Sequence, residues 1–357
     1  MKKTIAALVL LLATPLVAQD VVQLLPEKFN DYALNYYLPR TGVEIEFVAS
    51  KTTLKAGPYY QYARKYLGTD EAITHDSETY QLHRATIIPF GVADTQNRYQ
   101  LTFKAGQTPY IYVNTENVIL SANATPDDIA KEQFPAIEKD QLNTIDMTKA
   151  LSEEILMSGS VGKMAEVAAK QIYRIRESRM DILTGEADNM PGDGESLRII
   201  IEELDRQEAA LTALFMGTKS VEYISKRINY IPESDVQKHI LLRFSQHLGF
   251  LDENNLAGAP IYLSLLITEQ GEYPIDNKGN IKKVPKGAIA YNIPGKAILS
   301  LHYNHKTIAE RQLNVAQFGV NFGLDPALLT HKKEPSFVVF EPSTGSILQI
   351  GSIKPEQ

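Results

Sequence analysis

Apolar and polar residues alternate in short runs over most of this 357-residue chain. A period of two is the pattern of strands buried on one face. Val43, Ile45 and Phe47 point one way and Glu44 and Glu46 the other, which predicts a half-buried strand. Further strand-like runs lie at Tyr80 to Phe90, Arg98 to Phe103 and Pro109 to Leu120, with Gly91, Asp94 and Asn97 marking the turns. The same pattern returns after Thr218, in Ser220 to Ile231, Ile261 to Ile267, Ala297 to Tyr303, Thr307 to Val315 and Phe337 to Phe340. DNKGN at 276–280, YNHK at 303–306 and EPSTG at 341–345 have turn chemistry.

Helical spacing interrupts the strands twice. In GPYYQYARKYLG, residues 57–68, Tyr59, Tyr62, Ala63 and Tyr66 fall at i, i+3, i+4 and i+7, so a short helix presents a tyrosine-rich face. Tyrosine suits interfaces, and Tyr59, Tyr62 and Tyr66 are the candidate binding residues. Two longer helices follow. Val161, Met164, Ala168, Ile172, Ile175 and Leu183 form the stripe of the first, and Leu197, Ile200, Ile201, Leu204, Leu211, Leu214 and Phe215 that of the second. GEADNMPGDGES joins them as a loop. The first helix carries Lys163, Lys170, Arg174, Arg176 and Arg179, the second Glu202, Glu203, Asp205 and Glu208. Complementary flanks predict an antiparallel helical hairpin. The expected fold class is α+β and mostly β: two β-rich, sandwich-like domains, 19–123 and 218–357, with an inserted hairpin at 151–217 after a linker at 124–150.

The ends of the chain bear on its destination. Lys2 and Lys3 precede an apolar run from Ile5 to Val17, and Ala18 is a small residue at a plausible cleavage point, so residues 1–18 read as a secretory signal peptide. YYLPRTG, residues 36–42, contains an L-P-x-T-G pentad, the sortase pattern. It lies near the start of the chain rather than before a C-terminal apolar span and basic tail, so it reads as the lead-in to the first strand. With no cysteine, disulfides, thiol nucleophiles and a lipidated cysteine are excluded. The mature chain is expected to be soluble, without a membrane span, exported to the periplasm or beyond, and anchored neither by lipid nor by sortase. A net charge of −7 disfavours nucleic acid as a partner.

The runs YYLPRTGVEIEFVASKTTLKAGPYYQYARKYLG, LTGEADNMPGDGESL, LTALFMGTK and FEPSTGSILQI resemble a family of secreted proteins from gut Bacteroidota, domain of unknown function 4831. The resemblance covers nearly the whole mature chain. It implies export into a Gram-negative envelope and assigns neither an activity nor site residues.

Candidate chemistry is sparse. Ser160 and Lys163 form an S-x-x-K motif, the nucleophile arrangement of penicillin-recognising enzymes. Those enzymes need two further elements later in the chain. Here Tyr112-Val113-Asn114 comes before the serine and Ser343-Thr344-Gly345 lacks the cation, so Ser160 reads as a helix cap. His302 and His305, three apart in a predicted hairpin, are expected on opposite faces. His239 and His247 lack a flanking carboxylate motif, and His75, His83 and His331 are scattered. The loop Glu186, Asp188, Asn189, Asp193, Glu195 is oxygen-rich but off the calcium-loop spacing. No nucleotide-binding loop is present, and no metal or cofactor is expected. The expected function is non-enzymatic: a binding or structural module for an envelope protein or polysaccharide. The alternative is a glycan or peptidoglycan hydrolase with carboxylates the sequence does not locate. A third reading is a subunit that polymerises by strand addition.

Overall fold

The computed structural model describes residues 33–102, 109–126, 132–137, 145–188, 194–331 and 335–353. The expected signal peptide and Asn189 to Asp193 of the oxygen-rich loop lie outside these residues. In chain order the elements are β1 (Ala33–Lys55), α1 (Ala63–Leu67), β2 (Ser77–Thr102), β3 (Ile111–Val113), β4 (Ile119–Ala122), α2 (Glu153–Leu156), α3 (Val161–Thr184), α4 (Gly194–Met216), β5 (Thr218–Tyr230), β6 (Val236–Ser245), β7 (Gly249–Leu251), β8 (Ala259–Glu269), β9 (Ile289–Tyr303), β10 (Lys306–Leu324), β11 (Ser336–Phe340) and β12 (Ile347–Ser352). The fold is α+β and mostly β.

Three sheets have the strand orders β2-β1-β5, β10-β9-β8-β6-β7 and β12-β11-β4-β3, and their ladders are antiparallel. Val43, Ile45, Phe47 and Ala49 of β1 face Phe244, Leu263, Leu265, Leu299 and Leu301, which makes a sandwich of the first two sheets. The first residues of β1 belong to a second core, where Tyr36 and Leu38 meet Tyr99, Ile119, Ile289, Val338 and Phe340. Long strands serve both cores because bulges bend them, at Tyr37/Pro39 in β1 and at Val315/Val320 in β10. The expected division at 123 and 218 therefore does not separate sheets. β5 completes the sheet of β1, and β11 pairs with β4. The β3–β4 hairpin, with strands of 3 and 4 residues, needs those partners, since a two-stranded hairpin alone is marginal in water.

The L-P-x-T-G pentad sits where the two cores meet. Thr41 is fully buried. Its hydroxyl donates to the Ser343 carbonyl at 2.9 Å and accepts from the Ala316 N–H at 2.9 Å. The Gln317 amide accepts from the Thr41 N–H and donates to the Thr41 carbonyl, both at 2.9 Å. Asn292 donates to the carbonyls of Pro39 and Thr344, at 3.1 and 2.7 Å. A β-carbon on Gly91, which pairs with Thr41 inside β2, would lie 2.0 Å from the Pro342 carbonyl oxygen, so only glycine admits this close approach. The pentad is a buried polar joint inside β1, which begins at Ala33, rather than a lead-in ahead of the strand.

β1 departs from the half-buried expectation. Glu46, on its polar face, is 1% exposed. Arg227 on β5 pairs with it at 2.9 Å, and Arg84 on β2 lies at 3.9 Å. Residues 132–137 cross this face. The Pro135 carbonyl accepts from Arg84 at 2.8 Å, the Phe134 ring lies 4.5 Å from the Arg227 guanidinium, and Glu132 pairs with Arg311 at 2.6 Å. Two cations make burial of the carboxylate tolerable.

Candidate functional site

The sequence-predicted tyrosines lie together at the base of the helical hairpin. Ala165, Ala168, Ala169 and Ile172 of α3 and Leu211, Leu214 and Phe215 of α4 form one core with Tyr59, Ala63 and Ile155. The alanines let the short tyrosine segment approach closely. Tyr59 is 4% exposed, and its ring centroid lies 5.7 Å from that of Phe215. Burial raises the pKa of its hydroxyl. Tyr66 also faces Phe215, at 6.5 Å, and Tyr62 stands 6.2 Å from Tyr66. The Tyr59 N–H donates to the Leu214 carbonyl at 2.8 Å, and the Tyr173 hydroxyl donates to the Tyr66 carbonyl at 2.7 Å. Tyr59 is thus core, while Tyr62 and Tyr66 are half-buried; together they form the foot on which the hairpin stands.

Beyond that foot the hairpin becomes an arm. Between Ile172 and Leu211 no described residue is buried. At 1.5 Å per residue, α3 continues about 18 Å past Ile172. The complementary flanks meet as expected: Arg176 pairs with Glu208 at 2.6 Å, and Arg179 pairs with Glu208 at 2.7 Å and with Asp205. Near the free end, Met180, Leu183 and Ile199 are 60%, 64% and 55% exposed. In the proximal half the same helices bury such side chains against the foot. Here no third layer of described residues covers them.

An open groove of about 1260 Å³ runs where the arm meets residues 145–152. Ile145, Ile175, Ala209, Ala210 and Leu211 give it apolar lining. Asp146, Glu202 and Asp205 and, of opposite sign, Lys149, Arg174 and Arg206 give it charge. Sequence periodicity found the two helices. It did not find the groove, because the third wall comes from a stretch that reads as linker.

The remaining candidates fall into place as follows. Ser160 caps α3: its Oγ accepts from the Lys163 N–H at 3.3 Å, and the Lys163 ammonium pairs with Glu166 at 3.1 Å. His83 bonds Ser50 at 2.7 Å and packs on Tyr223, and His239 packs on Tyr230. Among the described residues, no group of three or more His, Asp or Glu is placed to hold a metal ion. His302 and His305 correct the sequence reading. Asn304 and His305 form a turn with φ of 48° and 63°, so strand alternation does not apply, and both histidines line one recess. Glu132, Asp146, Glu166 and Asp276 all have carboxyl pKa values below the ordinary range. Hydrogen bonds are the main cause in each case, from Arg311, Thr148, Lys170 and the backbone of Asn280 respectively. A glycosidase acid needs the opposite shift. No described helix is long and apolar enough to cross a membrane.

The family model described as Domain of unknown function (DUF4831) matches residues 32–348, and the chain belongs to that family. No curated protein and no solved structure matches it.

Proposed function

We propose that this chain is an exported, non-catalytic binding protein whose α3–α4 arm docks a polypeptide partner. One observation carries the reading: the arm buries no described residue between Ile172 and Leu211, yet exposes Met180, Leu183 and Ile199 at its free end. An apolar patch rimmed by charge is interface material. The groove beside it carries both signs, which suits a polypeptide better than a uniformly charged polymer or membrane surface. Tyr62 and Tyr66 support the arm from below. Export rests on Lys2, Lys3, the apolar run to Val17 and Ala18.

The test is a photo-crosslinking amino acid at position 180 or 183, in cells that make the protein. A second set of cells carries it at Leu256, which is as exposed but remote in sequence. One polypeptide captured from 180 and 183 and not from 256 supports the reading. Equal capture at all three positions, or none, ends it. N-terminal sequencing of protein from the envelope fraction tests export, and a chain still beginning at Met1 refutes it.

A further inference from the structure

The outer face of the five-stranded sheet holds a second concavity, a recess of about 590 Å³. Tyr262 on β8 and His302 on β9 stand opposite each other in register. Lys238 on β6, Ser264, Asn304 and His305 complete its polar lining. Every one of these side chains offers a hydrogen-bond donor, and none is a carboxylate. In a chain with 43 acidic against 36 basic residues that is an unusual lining.

The backbone is bent to build it. Five described non-glycine residues have positive φ, and three of them, Lys238, Asn304 and His305, line this recess. Lys238 reaches 56° inside a bulge of β6, where its N–H donates to Ser264 Oγ at 3.2 Å. That bond occupies an acceptor site of Ser264 and leaves its proton free to point elsewhere. A two-residue hairpin turn favours Asn-Gly, and here histidine takes the second place at 63°. Such conformations are disfavoured for residues with a β-carbon and gather at binding sites. Thr307 Oγ1 lies 3.2 Å from Nδ1 of His302, which orients the ring and leaves Nε2 for a ligand.

We propose that this recess binds an oxyanion, a carboxylate or phosphate group borne by a small molecule or a sugar. Lys238 supplies the charge, His302 and His305 offer ring N–H donors, and Tyr262 and Ser264 add hydroxyl donors. Glu310 on β10 pairs in register with Ser300, and its carboxylate accepts from the Ser300 hydroxyl at 2.9 Å.

The experiment follows histidine ring protons by NMR in the full chain. His302→Gln and His305→Gln identify the two signals. Probes are glucuronate, inorganic phosphate, and glucose as the neutral control. Saturable shifts of both signals with glucuronate or phosphate and not with glucose are expected. Lys238→Gln, at an exposed position, should weaken binding several-fold with an unchanged Tm. A response to glucuronate alone assigns a carboxylate ligand; a response to phosphate alone assigns a phosphorylated one. No saturable shift with either anion, an equal shift with glucose, or an unchanged response in Lys238→Gln overturns the proposal.

Discussion

Replacing Thr41 by valine tests the polar joint between the two cores. Valine nearly matches threonine in shape, so the change opens no cavity. It removes one hydroxyl that serves two partners, the Ser343 carbonyl and the Ala316 N–H. Both lose a partner at a site where Thr41 is fully buried and Ser343 is also buried. A buried polar group left unsatisfied costs about 1–3 kcal/mol. Two such groups, less about 0.8 kcal/mol for the added buried methyl, give a net loss of about 1–5 kcal/mol. Thr41→Ser keeps the hydroxyl and removes one methyl, at a cost of about 1 kcal/mol. Urea unfolding followed by both tyrosine fluorescence and far-UV circular dichroism gives the comparison, and coincident transitions confirm that one equilibrium is read. If Thr41→Val stays within about 0.5 kcal/mol of the parent, or Thr41→Ser loses as much as Thr41→Val, the joint does not work as described.

The other predictions concern the hairpin. Ser160→Ala should cost about 1 kcal/mol by uncapping α3, and Ser160→Asp should retain most of the stability; equal losses in the two would show that capping is not the role of Ser160. Glu166, between Lys170 and Lys163, has its carboxyl pKa lowered to about 2. The sign follows from that depression: the pairing helps the folded state above the ordinary glutamate range and is lost as pH falls through about 2. A carboxyl NMR titration with a midpoint near 4.5 would contradict it. Met180→Glu with Leu183→Glu should leave stability within about 0.5 kcal/mol, since both side chains are exposed, while abolishing capture of a partner. A large fall in Tm would mean that the free end is packed after all.

Local signals in the sequence located the hairpin and most strands, but Gly91, Asp94 and Asn97, expected as turns, lie inside the single strand β2, and no expected run covers β6 or β12. Alternation at Val43, Ile45 and Phe47 marks the core face of β1, and opposed charges mark the faces of α3 and α4 that pair. What stayed hidden depends on distant segments. Glu46 reads as solvent-facing because its cover comes from Arg227, 181 residues away, and from residues 132–137, which carry the composition of a linker. The tyrosine stripe is real, but periodicity does not say what it meets, and α4 takes the face that a ligand would need. His305 escapes strand logic because a positive φ turns the chain. The two-domain division fails to follow the sheets for a related reason. Bulges let single strands pass from one core to the other, and a bulge leaves little trace in the hydrophobic pattern.

Of the runs that carry the family resemblance, all but LTGEADNMPGDGESL meet another run among the described residues. YYLPRTG meets FEPSTGS through Thr41 and Ser343 and through Asn292, which bridges Pro39 and Thr344. GPYYQYARKYLG meets LTALFMGTK through the bond from Tyr59 to Leu214 and the stacking on Phe215. A β-carbon on Gly57 would fall 2.3 Å from the Leu214 carbonyl oxygen, so this contact also depends on glycine. Both junctions set geometry rather than chemistry: one joins the two β cores, the other plants the arm. A signature made of such joints identifies the fold and is silent about a ligand. The surfaces proposed to bind, the arm tip and the donor-lined recess, lie away from these joints. Two members of this family that share these joints and differ at Met180, Lys238 or His305 would, on the proposals above, differ in what they bind.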